Sequence, residues 1–337
     1  MPHYDYEQLK ATQIECEEAF SRKGIKKAVK AYMDTIPEVT LVVNQGVELL
    51  KNWCEADSAY ASKQVRRDHI SQMDLKDLVE EVFIRIASLT TETTLNNLAS
   101  QLAPLMGFSD TRVGIQAMAE VIAVICESNF FDLHKYNINS SIYVKSNFHL
   151  PDELLAYIER ACFLPPMIIK PKLLKDNRSS GYLTVRGDSL ILGGGHNHHN
   201  DNISLDVLNI MNRYPLSLCE YVLDNVTEEP TSDLDKLEDT TGMTQVEILK
   251  AISQQKKNWE KHLTQSKFFY NYVREHGNNR MFITHKYDKR GRIYSQGYHI
   301  HIQGTSYKKA ILELHDKQHV EVPDDYFANT SNPCYGL

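Results

Sequence analysis

The sequence predicts a mostly α-helical protein with a small β portion, and three observations predict it. Apolar residues recur at helical spacing through the first half. Two further stretches, residues 203–226 and 244–273, carry helical propensity, and strand-like alternation is confined to residues 281–302.

The helices can be justified in chain order. Leu75, Leu78, Val79, Val82, Phe83, Ile86 and Leu89 fall on one helical face, and Asp74 stands where an N-cap belongs. Leu95, Leu98, Leu102 and Leu105 repeat the pattern until Pro104 and Gly107 break it, and residues 113–126 form a third apolar helix. These elements imply a compact helical N-terminal domain over residues 1–160, in which no internal repeat or heptad is visible.

Residues 161–202 change character, with prolines, glycines and the tract Gly193 to Asp201, and read as loop and short strands. The histidines of that tract, His196, His198 and His199, and Asp201 are competent metal ligands. Contiguous histidines in a glycine-rich loop lack a rigid scaffold, so the tract reads as a flexible surface loop and no metal site is assigned. Residues 203–278 read as two long helices joined by a polar loop, an antiparallel helical hairpin. Residues 279–337 hold the strand-rich segment.

Composition narrows the function classes. The chain has 337 residues, 42% of them hydrophobic, which is enough for real cores. No apolar run approaches the ~18 residues of a membrane span, and the first residues lack a basic-then-apolar leader pattern, so the expectation is a soluble intracellular chain. Six cysteines lie without any Cys-X-X-Cys pair, which argues against a structural zinc site. The net charge of −7 sits uneasily with nucleic-acid binding, but it is unevenly spread. Acidic residues concentrate at 228–238 and basic ones at 170–175, 250–261 and 286–292, which implies a basic cleft and an acidic exterior.

The most informative segment runs from Met281 to Leu312. Met281 to Thr284 is strand-rich, Asp288 and Gly291 spell a tight turn, and alternation resumes at Ile293. Such a hairpin presents Arg292, able to bridge phosphate oxygens, with Tyr294 two residues on and on the same face, able to stack on a base or sugar. Asp288 holds the turn by hydrogen bonds rather than performing chemistry. Gln303, Gly304, Lys308 and Lys309 follow, with Ala310 to Leu312 read as the start of an apolar helix.

In this order, Asp288, Gly291, Arg292, Tyr294, Gln303, Gly304 and Lys309 resemble the palm-opening motif of the phage and mitochondrial class of single-subunit DNA-dependent RNA polymerases. Two upstream segments are similar to the same family. One runs from Leu164 through Pro165 and Pro166 to Lys172, with Gly181 and Tyr182 at the position of a Gly-Gly-aromatic turn. The other runs from Leu205 through Asn209 and Asn212 to Tyr214, like the start of the thumb helix, with Pro215 set to kink it. The resemblance covers about residues 160–320.

The resemblance implies a thumb-like helical hairpin and the beginning of a polymerase palm. It further implies that Arg292 touches the RNA–DNA hybrid or template, that Lys309 or Lys308 meets a phosphate of template or incoming nucleotide, and that Lys256, Lys257 and Lys261, beside Trp259, meet the hybrid backbone. Taken without the family, those three lysines are an exposed basic stripe. In the family the Mg2+-binding aspartates lie beyond the stretch matched here, and the His315–Asp316 pair stands too early for the family's later His-Asp motif and reads as a helix terminus. The expectation is therefore the N-terminal subunit of a heterodimeric, podovirus-like DNA-directed RNA polymerase, ending naturally near Leu337, with no catalytic residue of its own. A second subunit would carry the rest of the palm, the fingers and the bound Mg2+. DNA template, RNA product and ribonucleoside triphosphates are the implied ligands, a single-stranded-DNA-binding recruiting factor an implied partner, and the cytoplasm of the infected bacterial host the implied location. The alternatives are a noncatalytic nucleic-acid-binding transcription accessory protein with a polymerase-like fold and, more distantly, a metal hydrolase built on the histidine tract.

Overall fold

The computed structural model of the chain describes residues 6–136, 141–226, 242 and 244–317. At 56% helix and 10% strand the protein is mostly helical with a small sheet portion, the class the periodicity predicts. The acidic stretch 228–238 lies outside the described residues, as do Cys334 and the expected natural end.

The chain forms two compact units. One is Glu15–Leu164; the other joins Met1–Ile14 to Pro165–Leu337. The expected start of the helical domain therefore moves, because the first fourteen residues cluster with the later part of the chain. Gln13, on α1 (Tyr6–Ala19), shows why: its buried side-chain oxygen accepts hydrogen bonds from the Ile168 amide at 2.9 Å and the Tyr272 hydroxyl at 3.2 Å.

The Glu15–Leu164 unit is built on helices with clear punctuation. They are α2 (Arg22–Met33), α3 (Pro37–Glu55), α4 (Ala61–Ser71), α5 (Leu75–Ala87), α6 (Leu95–Leu102), α7 (Thr111–Ile125) and α8 (Asp152–Arg160). Asp74 caps α5 by accepting from the Asp77 amide at 3.0 Å, and the turn after α6 ends on Gly107 at φ 67°. The apolar stripe of α5 is the centre of the core: Val79, Val82, Phe83 and Ile86 are fully buried. Gly46 of α3 lets that helix approach closely, since a Cβ there would meet Val79 and Phe83. Phe83 stacks on Phe130 at 4.3 Å. Arg66 of α4, itself buried, reaches Glu120 of α7 through two charge-assisted hydrogen bonds of 2.8 and 2.5 Å.

This unit also holds a sheet that the helical reading omits. Strands β1 (Thr93–Thr94), β2 (Phe131–Lys135) and β3 (Ile142–Ser146) pair antiparallel in the order β1-β3-β2, in register from Phe131 opposite Ser146 to Lys135 opposite Ile142. Phe131 and Val144 turn inward and are fully buried, which is what a two-residue alternation achieves when one face meets a core.

In the other unit, residues 165–192 form no continuous strand. They make isolated bridges at Met167, to Phe282, and at Ile191, to Tyr287. The expected helical hairpin is corrected in its first arm. Residues 203–226 form a short α9 (Leu205–Asn212), a strand β4 (Leu216–Leu218) and a short α10 (Glu220–Asn225) instead of one long helix. Pro215 cannot donate the hydrogen bond a continuing helix needs, and the residues after it pair instead with a strand from the far end of the unit. The second arm is long, as expected: α11 (Gln245–Gly277) starts at a capping box between Thr244 and Glu247 and stops at Asn278, at φ 51°.

Beyond α11 come β5 (His285–Tyr287) and β6 (Ile293–Ser295), a two-stranded antiparallel ribbon, then α12 (Ser306–Ala310) and β7 (Leu312–Leu314). Two expectations change here. Met281 to Thr284 contributes bridges rather than a strand, and the return strand stops at Ser295, just before Gly297 at φ 103°. The apolar residues 310–312 do not begin a helix: α12 ends at Ala310, and β7 pairs Leu312 with Leu218 and Leu314 with Leu216. His315 therefore follows a strand, not a helix terminus, and its Nδ1 lies 3.5 Å from the Ser217 hydroxyl.

Asparagine side chains supply the backbone bonding that short elements lack. Asn209 donates to the Leu174 carbonyl at 3.0 Å and accepts from its amide at 2.7 Å. Asn279 does the same for Leu218 at 2.9 and 3.0 Å. Each amide mimics a strand neighbour and satisfies both groups of one residue.

Candidate nucleic-acid interface

The β5–β6 turn is organised by one carboxylate. Asp288 Oδ1 accepts from the Arg290 amide at 2.8 Å and the Arg292 amide at 2.9 Å, while Oδ2 receives the Arg292 guanidinium through Nε and Nη2, each at 2.8 Å. Gly291, at φ 83°, takes the left-handed position. Burial pushes the Asp288 carboxyl up, but the hydrogen bonds from Arg292 and Arg290 outweigh it and hold the group below the usual range. The pairing raises Arg292 in turn, chiefly through the bond to Asp288. Asp288 thus holds the turn and aims Arg292; with its oxygens already shared among these donors it does not fit a Mg2+ site.

Arg292 is exposed and its guanidinium lies 5.6 Å from the centre of the Tyr294 ring, so the two share a face. Gln303 then ties the later part of the motif to this strand. Its Oε1 accepts from the Ser295 amide at 2.9 Å and its Nε2 donates to the Ile293 carbonyl at 2.8 Å. The residues flanking Tyr294 are thereby gripped by a side chain eight to ten positions on. His301 packs beneath, its Nε2 3.2 Å from the Ser295 hydroxyl and its Nδ1 accepting from the Gln303 amide at 3.0 Å.

Thr305 caps α12. Lys308 donates to the Tyr298 carbonyl at 2.7 Å and lies 3.8 Å over its ring, which leaves less of this ammonium for a ligand. Lys309 is exposed, in the last turn of α12 rather than at its start. The structure therefore brings Asp288, Gly291, Arg292 and Tyr294 into one contiguous turn, with Gln303 joined to it. Lys256, Lys257 and Lys261 are exposed along α11, on a separate element.

Several organising residues carried no sequence signal. His285 is buried with both its amide and its Nδ1 on Asn212 Oδ1, at 2.8 and 3.0 Å, and burial, with His301 nearby, pushes its imidazole down to about 4. His262 of α11 stacks on His299 at 5.9 Å, and burial, then Lys308, pushes it down to about 4. Only the alternation of buried positions around residue 285 could have suggested the first; nothing local marks the second.

The histidine tract is knit into the fold rather than loose. His198 spans Ser189 and Asn200 through its two ring nitrogens, at 3.0 Å each, and Asn177 donates to the carbonyls of His199 and Asp201 at 2.8 Å. Ser189 is wholly buried, and its hydroxyl also accepts from the Ile191 amide at 3.0 Å. Among the described residues no group of three or more histidines, cysteines or carboxylates is placed to hold a metal ion, and no helix is long and apolar enough to cross a membrane.

No protein-family model and no curated protein matches this sequence.

Proposed function

We propose that this chain is the N-terminal subunit of a heterodimeric DNA-directed RNA polymerase and that its β5–β6 turn contacts the template or the RNA–DNA hybrid. One observation carries the reading: the side chain of Gln303 holds the strand that bears Tyr294 and directly follows Arg292, so motif elements separated in sequence are joined in one surface. Arg292 supplies a charge-assisted phosphate contact, Tyr294 a flat apolar neighbour for a base or sugar, and Lys309 a further cation. Lys256, Lys257 and Lys261 belong to the backbone-contacting set in this reading. Asp288 is committed to the turn, and in this reading the metal-binding carboxylates, the Mg2+ they hold and the fingers belong to a partner subunit. Ribonucleoside triphosphates are the substrates, a single-stranded-DNA-binding factor recruits the enzyme, and the site of action is the infected bacterial cytoplasm.

The test is Mg2+-dependent ribonucleotide incorporation on primed DNA by this chain, by a candidate partner and by both together. Synthesis by the pair alone is expected. In the assembled enzyme Arg292→Ala should cut extension by about one to two orders of magnitude, the worth of ~1.5–3 kcal/mol for a charged hydrogen bond. Unchanged extension by that variant, with assembly intact, would remove the assignment.

A further inference from the structure

The end of the segment 170–192 pairs with the edge of β5 opposite β6, through residues 190–192. The Tyr287 amide donates to the Leu190 carbonyl at 2.9 Å and the Leu192 amide to the Tyr287 carbonyl at 2.7 Å, so this segment is fixed to the motif ribbon. It brings charge with it. Lys170, Lys172, Lys175, Arg178 and Arg186 are exposed, and β5 and its turn add Lys286, Lys289, Arg290 and Arg292.

Backbone contacts bring the turns that carry these cations side by side. Gly187 lies against the Arg178 carbonyl, where any Cβ would collide, so the stretch carrying Arg186 runs close beside the backbone of Arg178. Arg178 donates to the Asp188 carbonyl at 3.0 Å, and Lys286 reaches the Asp188 carboxylate at 3.2 Å from β5. Nine cations share these two segments with three carboxylates, in a chain whose net charge is −7. Each carboxylate is engaged inside the fold. Asp176 bonds the Arg178 amide and the Ser179 hydroxyl, Asp188 the Ser189 amide and Lys286, and Asp288 its own turn. Arg186 has no hydrogen-bond or ion-pair partner among the described residues.

We infer that residues 170–192 are a second phosphate-binding segment, with Lys175, Arg178 and Arg186 continuing the track of Arg292 along a nucleic-acid backbone. The inference rests on reading the β5–β6 turn as a template or hybrid contact. The cations are spread along separate turns instead of converging on one cavity, which suits successive phosphates of a polymer better than a mononucleotide. They position the nucleic acid and do not read its sequence.

The experiment measures binding of the full chain to a labelled RNA–DNA hybrid and to the matching single-stranded DNA over a range of salt. The triple variant Lys175→Ala, Arg178→Gln, Arg186→Ala should make log Kd against log salt shallower by about two, at roughly 0.7–0.9 for each phosphate that is no longer neutralised. Arg178→Gln keeps a donor for the Asp188 carbonyl. If the triple variant does not fold by circular dichroism, Arg186→Ala alone should lower the slope by about 0.7–0.9. An unchanged slope in these variants, while Arg292→Ala weakens binding, overturns the second segment and leaves the turn as the binding surface. Indifference of both sets overturns both readings. Equal binding of anionic lipid vesicles, abolished in the same variants, shows a general polyanion patch and also overturns the inference.

Discussion

Both units bury apolar side chains, Phe269, Val273 and Phe282 among them in the motif unit, but they differ in what they add to that burial. Glu15–Leu164 relies on an apolar core in which α5 buries Val79, Val82, Phe83 and Ile86 completely. The unit bearing the motif has short strands of three residues and leans on single polar side chains: Asn209, Asn212, Asn279 and Gln303 each bond the backbone of a distant residue. An apolar core tolerates exchange of similar shapes, because its stabilisation scales with area. A side-chain amide serving a buried backbone pair has no such substitute, because its removal strands a donor or acceptor. The proposed ligand surface thus stands on the less forgiving unit.

Three perturbations test that contrast, taken from the largest effect per side chain downward. Phe83→Ala removes a fully buried ring stacked on Phe130 and should cost about 3–5 kcal/mol by chemical denaturation. Hydrogen exchange should rise in α3, α5 and α7 before it rises in the C-terminal half of α11. Simultaneous loss of protection everywhere would break the comparison, because the units would then unfold as one.

Acid should act on the motif unit. Burial holds His262 and His285 near 4, whereas the unfolded chain protonates them near the ordinary 6.5. Between about pH 6.5 and 4 the unfolded state binds more protons, so these groups' contribution is fully present above that window and is lost as pH falls through it. The loss approaches roughly 3 kcal/mol per histidine at the lower end. Limited proteolysis at neutral and mildly acidic pH should show cleavage rising first around α11 and β5. A pH-independent cleavage pattern would contradict neutral burial of both rings.

Asn212→Ala is the smallest of the three, at about 1–3 kcal/mol, because it leaves the buried His285 amide and Nδ1 without their shared acceptor. Asn212→Asp, which keeps an acceptor, should recover part of the loss in the same melt. If alanine is neutral, the motif unit does not depend on its asparagines in the way argued.

These differences also explain what could be read in advance. The cap at Asp74 and the stripe of α5 were legible because helix chemistry is local and repeats every few residues. The turn was legible for the same reason: Asp288 and Gly291 act within five residues. Strand β4 was not, since Leu216 and Leu218 look helical until Leu314 and Leu312, nearly a hundred residues later, are there to pair with them. The sheet of Thr93, Phe131 and Val144 escaped notice because its strands are short and its first is two residues long. Gln303, singled out only as part of a motif, has a mechanical task that no pattern of one chain announces.

The bond between Gln13 and Tyr272 spans 259 residues, and that with Ile168 spans 155. At synthesis rates of roughly 5–20 residues per second, Gln13 leaves the ribosome some 10–50 s before Tyr272 exists. The helical unit, encoded wholly between these partners, can be complete while the segment that precedes it is still waiting. Gln13 thus waits for partners encoded after the helical unit, and its substitution should impair the maturation of the motif unit far along the sequence before it disturbs the helical unit.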